Sequence, residues 1–528
     1  VTHTRTRRAN ELAETRRWLI LGVLCFSVLV IVLDNTILNV AIPTIVRDLG
    51  ATNSQLQWIV DAYILALAGL LLTAGSLGDR FGRREALLGG FFVFGAGSLA
   101  SAFATTPEFL IATRALTGVG AAFIMPTTLS ILTNVFPAKE RGRAIGVWAG
   151  TAGLAAVLGP LTGGFLVEHF FWGSIFLVNV PIAAMGVVAA LTLIPDSRDP
   201  ATSPLDPVGA LLSILGLATL LYGIIEAPER GWADPATFGV IAAGLVVIGL
   251  FFLWEWRSRH PMLDLNFFRN PRFSAASGAI VLVYGALIGT QFLITQYFQF
   301  VMGYSAFETG LLFIPQALAM LVLSPLSARL VERFGTKLVV GFGLLASMIA
   351  MASFVTLEPT SPYFPDLVWR LVLMSAGMAV AMAPATESIM GSLPLGRAGV
   401  GSAVNDTTRQ LGGALGIAII GSVLASVYGS QMGDFLRGTA VSPGASSAIR
   451  QSLGKALAAG GEIPGLATAA KAAFVDGMHA GMIVGAISAL VGVFVAFRWL
   501  PARAAASRRA SEPTVASLDL VASDPVEG

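Results

Sequence analysis

The sequence predicts an all-α membrane protein of fourteen transmembrane helices, arranged as two six-helix bundles with two further helices inserted between them. Three observations predict it. The composition is 55% hydrophobic and only 12% charged over 528 residues, with a mean hydropathy of +0.76. A soluble domain carries about a quarter charged residues. The apolar residues gather into runs long enough to cross a bilayer, and parts of the first half recur in the second.

A spanning helix needs about 20 mostly apolar residues. Such windows fall near 18–42, 55–77, 86–104, 108–134, 143–167, 172–194, 207–226, 236–256, 273–300, 308–330, 337–357, 366–391, 399–426 and 473–500. The first is too long for a signal-peptide core and lacks a small-residue cleavage site after it, so it reads as a retained helix. An even number of spans puts both termini on one side. Assigning the N-terminal segment 1–17, the connections after even-numbered spans and the tail to the cytoplasm gathers 24 of the 33 Lys and Arg there. Seven then lie outside or at an outer helix end and two within spans. This bias sets both termini inside a cell membrane. Residues 18–194 then form the first bundle, 195–260 the inserted pair and 261–500 the second bundle. The tail 501–528 has no periodicity and is expected to be disordered. The longest connection, 427–472, is extracytoplasmic; its stretch 445–460 either forms a short amphipathic helix in a cap or stays disordered.

The repeat organises the chain. Leu-Gly-Asp-Arg-Phe-Gly-Arg-Arg at 77–84 returns as Leu-Val-Glu-Arg-Phe-Gly-Thr-Lys at 330–337, an offset of 253. At the same offset, Gly-Pro-Leu-Thr-Gly-Gly at 159–164 falls on the glycine-rich run 412–416. A third echo pairs Pro126-Thr-Thr-Leu-Ser-Ile-Leu with Pro384-Ala-Thr-Glu-Ser-Ile-Met. Two parallel six-helix copies are the plan of alternating-access carriers, which bind near the midplane between the halves. A channel or membrane enzyme remains open at this point. No nucleotide-binding loop and no zinc-type ligand cluster is visible, and the histidines are scattered at 3, 169, 260 and 479. We therefore expect no enzyme, no metal and no cofactor beyond a proton gradient. The net charge of +2 suggests no nucleic-acid partner. The single cysteine, Cys25, excludes an intrachain disulfide.

Ionisable groups at bilayer depth cost roughly 2.5–3.5 kcal/mol on insertion scales, so each needs a reason. Six stand inside the expected spans: Asp34, Asp61, Arg114, Glu387, Asp406 and Arg409. Helical rise places Asp34 about 12 Å, and Asp61 and Arg114 about 9 Å, below the outer helix ends. Asp34 and Arg114 form either a fixed buried salt bridge or a switchable pair, in which a proton or an incoming cation on Asp34 frees Arg114. Asp61 is either an interhelical hydrogen-bond partner or a substrate or proton contact. Asp406 and Arg409, three apart, either satisfy each other or leave Asp406 for proton coupling. Glu387 is either a second coupling acid or a partner of Arg409. In the loop at 77–84, Arg83 and Arg84 mark topology, whereas Asp79 can pair with Arg141 or Arg143 and latch the inner face shut. Gly78 and Gly82 allow close approach there. In the fifth span Gly159-Pro160 kinks the helix, and Gly150, Gly153, Gly163 and Gly164 permit tight contact, as a seal between halves requires. Trp58, Tyr63, Gln291, Gln296, Tyr297, Gln299, Met378 and Met382 offer aromatic faces, amides and thioethers to flat cations, or simply pack.

Gly75-Ser-Leu-Gly-Asp-Arg-Phe-Gly-Arg-Arg-Glu-Ala-Leu87 closely resembles the loop signature of the major facilitator superfamily. Leu110-Ile-Ala-Thr-Arg114-Ala-Leu-Thr-Gly118-Val-Gly120 is similar to the arginine motif of its proton-coupled members, and Gly153 with Gly159-Pro160-Leu-Thr-Gly163-Gly164 to the motif of its exporters. Leu33-Asp34-Asn-Thr-Ile-Leu-Asn39-Val-Ala-Ile-Pro43 resembles the first-helix signature of the fourteen-helix drug:proton antiporters, and Gly401-Ser-Ala-Val-Asn-Asp-Thr-Thr-Arg-Gln-Leu-Gly-Gly extends the resemblance to the thirteenth span. Asp34, Asp61 and Phe171-Trp172-Gly-Ser-Ile-Phe-Leu-Val-Asn-Val-Pro181 look most like exporters of quaternary ammonium compounds and dyes. Some of those carry two adjacent acids where this chain has Asn405 and Asp406. The resemblance implies a major facilitator fold, a proton-leak seal in the fifth span, and a monomeric proton-coupled antiporter that expels lipophilic, cationic compounds. In this reading Asp34, Arg114, Asp406 and Glu387 couple protons. Asp34, Asp61, Trp58, Tyr63, Gln291, Gln296 and Met378 meet substrate. Gly78, Asp79, Arg80, Gly82, Gly159 and Pro160 gate. The rivals are a dedicated exporter of one metabolite or antibiotic, and a non-transporting membrane sensor or assembly protein.

Overall fold

The computed structural model describes residues 2–500 apart from 137, 195–205, 260, 262, 391–397, 438, 440 and 462. The side chains of 2–15 and of several helix residues, including Asp79, Arg141, Arg143 and Glu387, lie outside the description, as does the tail 501–528. The described chain is nearly all helix. The first half comprises α1 (Thr2–Leu49), α2 (Asn53–Phe81), α3 (Arg83–Ala102), α4 (Pro107–Val135), α5 (Ala138–His169), the single-turn α6 (Ser174–Leu177) and α7 (Asn179–Leu193). Next come α8 (Pro207–Arg230) and α9 (Pro235–Arg257). The second half holds α10 (Pro271–Gln296), α11 (Ala306–Leu312), α12 (Ile314–Phe334), α13 (Thr336–Ser353), α14 (Val368–Met390), α15 (Ala398–Leu436), α16 (Pro443–Gln451), α17 (Leu453–Ala458) and α18 (Leu466–Trp499).

Several helices start on one device. Thr106, Asp206, Asp234, Asn270 and Ser442 each accept a backbone N–H with a side-chain oxygen, and each is followed by a proline at the first helical position. The cap satisfies an orphan donor, and proline fills a site whose N–H has no partner. α2 starts instead on a capping box between Thr52 and Gln55.

Among the described residues, thirteen helical stretches are long and apolar enough to cross a membrane. The remaining expected span, the fifth, is α5, whose 32 residues reach about 48 Å. The first span runs further than its apolar window suggests. α1 continues through Pro43, Arg47 and Asp48 to Leu49, and its spanning stretch is Arg16–Leu49. Asp34 therefore lies fifteen residues (34 to 49) from the helix end, about 22 Å, rather than about 12 Å. Charged residues end an apolar window, but they do not end a hydrogen-bond ladder.

Packing gathers helices by half. α2 and α3 pack on α4, α1 on α5, and α3 on α7; α10 packs on α15 and α18, α13 on α14 and α18, and α12 on α14. α8 and α9 pack on each other, and α8 also lies against α2 and α15. The sequence repeat has a conformational counterpart. Gly82, between α2 and α3, has φ +130°, and Gly335, between α12 and α13, has φ +84°, a region that favours glycine. Beside them Arg80 lies 5.6 Å from the Phe81 ring and Arg333 5.4 Å from the Phe334 ring. Both pairs keep the 253-residue offset.

We call the face where α1 ends and α2 begins the distal face. The connection after α15 folds there as α16 and α17, with Ile449, Leu453 and Ala456 buried. The Tyr428 hydroxyl donates to the Ile449 carbonyl at 3.0 Å, and Gly454 lies against Val46 of α1.

Candidate functional site

The site grows from one carboxylate. Asp34, on α1, is 1% exposed, and Arg114, on α4, is fully buried. Arg114 Nη1 donates to Asp34 Oδ2 at 2.7 Å, and its Nε donates to the Ile59 carbonyl of α2 at 3.3 Å. The guanidinium carbon lies 4.4 Å from the Tyr63 ring and 5.6 Å from the Phe176 ring, so two aromatic faces support the cation. The other carboxylate oxygen accepts from Asn179 Nδ2, on α7, at 2.6 Å, and the same nitrogen lies 3.4 Å from Ser98 Oγ on α3. One acid thus joins α1, α4 and α7 directly, with α2 and α3 reached through its partners. An ion pair held in this way is far more costly to break on one side than to keep.

Beside it, polar atoms stand without partners. Tyr63 Oη, Arg114 Nη2 and Asn179 Oδ1 are buried with no hydrogen bond in the structure, and both Asp61 oxygens, also on α2, are in the same condition. Native interiors satisfy nearly all such groups. Three residues of the ion-pair network depart from that rule.

The second half carries a looser set. Asn405 Nδ2 approaches Asp406 Oδ1 at 3.5 Å, and Asn405 Oδ1 accepts from Thr386 Oγ1 at 3.2 Å. Arg409 donates to the Tyr284 hydroxyl at 3.3 Å and lies 4.9 Å from that ring. Glu387, expected to couple protons, and Asp79, expected to latch a loop, have side chains outside the described residues.

The expected cavity-wall residues do not converge. Tyr63 belongs to the charge cluster. Trp58 faces Tyr222 of α8 at 6.3 Å, and Gln291 Oε1 accepts from Gln316 at 3.2 Å. Gln296 is buried and turns back on the Phe292 carbonyl. Met378, 1% exposed, packs in the apolar core of the second half with Phe273, Ile280 and Leu344.

Among the described residues, the hydrogen bonds and close approaches between halves gather toward the distal face. Gln299 Nε2 donates to the Val40 carbonyl at 2.8 Å, Ser305 Oγ to Glu168 Oε2 at 3.2 Å, and Ser422 Oγ to Gln57 Oε1 at 3.4 Å. α5 closes on α11: a Cβ at Gly164 would stand 2.5 Å from the Phe307 backbone, and one at Gly310 2.6 Å from the Pro160 carbonyl. Gly159 touches Thr36 of α1 with no room for a side chain. The α8–α9 turn also binds here, Glu226 to Ser54 of α2 at 2.6 Å, Trp232 to Ser426 of α15 at 2.9 Å and Glu229 to Gln451 of α16 at 3.4 Å. Ser54, Glu229, Trp232, Ser426 and Gln451 border a distal cavity of about 380 Å³.

Three contributors escaped the reading of the sequence: Asn179, Ser98 and Gln57. Asn179 sits inside the quoted 171–181 motif, and a lone amide in an apolar run was the available signal.

The description of the Major Facilitator Superfamily matches residues 24–417. This chain belongs to that superfamily. Among its major facilitator relatives, the multidrug efflux pump LfrA of Mycolicibacterium smegmatis is 36% identical over 495 residues, covering 92% of this chain and 97% of that protein. The tetracenomycin C resistance and export protein of Streptomyces glaucescens is 33% identical over 491 residues, 91% of each chain. The methyl viologen resistance protein SmvA of Salmonella typhimurium is 33% identical over 422 residues, 79% of this chain and 84% of that one. Solved major facilitator structures share the fold. A bacterial homolog of the human lysosomal transporter Spinster, inward-facing and unoccupied, gives a TM-score of 0.65 at 19% identity, covering 92% of this chain and 98% of that one. The D-xylose–proton symporter gives 0.58 at 14% identity, with the same coverages of 92% and 98%.

Proposed function

We propose that the protein is a proton-coupled multidrug efflux antiporter that expels lipophilic, cationic compounds by alternating access. The observation that carries this reading is the buried Asp34–Arg114 pair, with unpartnered polar atoms on Tyr63, Arg114 and Asn179. Its carboxylate can hold a proton or face a cation, but an already paired Arg114 makes the two compete. The relatives LfrA and SmvA, an efflux pump and a methyl viologen resistance protein, support drug export and a cationic substrate. No cofactor is needed beyond the proton gradient. The chain then works as a monomer in the cell membrane with both termini cytoplasmic, which makes the distal face extracytoplasmic and the state seen here closed on that side. The dedicated-exporter reading draws support from the tetracenomycin C relative; an efflux panel of chemically diverse compounds separates the two.

The deciding measurement uses purified protein in liposomes. An imposed pH gradient should drive uptake of a lipophilic cation, an ionophore that collapses the gradient should stop it, and Asp34→Asn should abolish it. Uptake by Asp34→Asn equal to the parent at matched protein would refute the assignment.

A further inference from the structure

We propose that Asn179 is the positioning residue that lets Asp34 change protonation state inside the bundle, by serving the carboxylate as a donor and the carboxylic acid as an acceptor. The inference deepens the proton-coupled reading and rests on it.

The amide atom 2.6 Å from Asp34 Oδ1 must be the nitrogen, because an ionised carboxylate only accepts. That leaves Asn179 Oδ1 fully buried and without a donor. In a finished structural joint this would be a standing cost of roughly 1–3 kcal/mol. It acquires a use when Asp34 takes a proton from water on one side of the membrane. One O–H bond forms on Oδ1, while Arg114 Nη1 stays on Oδ2. The new O–H requires an acceptor, and the partnerless Asn179 Oδ1 belongs to the side chain already bonded to that oxygen. Arg114 only donates, and the Ser98 hydroxyl lies 3.4 Å from the Asn179 nitrogen. A half-turn of the Asn179 amide presents Oδ1 to the acid and releases Nδ2 from the carboxyl. The released nitrogen can then donate elsewhere. When the proton leaves to water on the other side, the amide turns back. A side chain that only donated would hold Asp34 ionised, and one that only accepted would oppose the charge; an amide does both.

The charged and titratable groups that face Asp34 are Arg114 from α4 and Tyr63 from α2. α7 and α3 contribute the non-ionising Asn179 and Ser98, and α5 meets this part of α1 through Gly159 and Gly163.

The test is pH-difference infrared spectroscopy of the full-length protein in lipid nanodiscs, which needs no substrate. The Asp34 carboxyl stretch is identified as the band lost in Asp34→Asn. In Asn179→Leu we expect that band to move to the frequency of a carboxyl without a hydrogen-bond acceptor. An unmoved band in Asn179→Leu, with altered melting temperature only, would show a mere structural bridge and overturn the inference. If that variant fails to fold, Asn179→Ala is read in the same way, and an unmoved band there is equally fatal. A parent with no Asp34 band refutes the proton-carrier reading itself, a result distinct from an Asp34 band that ignores Asn179.

Discussion

Asp34 and Arg114 can be separated into a structural and a coupling role by neutralising both. Removing one partner of a buried pair typically costs about 3–5 kcal/mol, because the other charge is stranded, whereas removing both can be nearly neutral. Asp34→Asn alone should therefore lower the melting temperature. The double variant Asp34→Asn with Arg114→Gln should recover much of that loss yet remain unable to exchange protons for a cation. Recovery of exchange along with stability would mean the pair only holds helices together. The pair was legible from sequence, since charges inside apolar runs are few and must meet. Asn179 was not, because a neutral amide carries no such demand and its partner lies 145 positions away. Met378 shows the converse: a thioether suits a cavity wall and a core equally, and the tertiary packing put it in the core.

At the scale of elements, α5 and α11 form a tight joint between halves, backbone on backbone at Gly164. Gly164→Val forces a side chain into that joint, an overpacking worth roughly 1–3 kcal/mol against the closed distal face. We expect an inserted cysteine, Val40→Cys on a Cys25→Ser background, to react faster with a membrane-impermeant thiol reagent when Gly164→Val is added. An unchanged rate would show that the joint does not hold that face closed. The glycine-proline pattern of α5 was readable, but its partner α11 was not, since a seven-residue helix leaves no distinct periodic signal. The length of α1 was also misjudged by its apolar window, which is why Asp34 lies deeper than helix arithmetic from Ile42 placed it.

At the scale of the molecule, the charge bias of the connections leads us to expect both termini on the cytoplasmic side. Epitope tags at either terminus should be resistant to protease added to intact cells and cleaved after permeabilisation. Cleavage of either tag in intact cells would reverse the orientation and with it the direction assigned to the distal face. The α8–α9 turn bonds to α2, α15 and α16, so the inserted helices clasp both halves at that face, a relation that nothing in their own sequence announces.

What the sequence determined alone was set by local cost. Burying about 20 apolar residues defines a span, and a repeated loop with glycine at the same offset marks corresponding places in the two halves, visible as positive φ at both Gly82 and Gly335. What only the tertiary structure decided was partnership. Whether an amide, a hydroxyl or a thioether is a wall, a clasp or a ligand for Asp34 depends on which atoms from distant helices arrive within about 3 Å, and no local propensity encodes that distance.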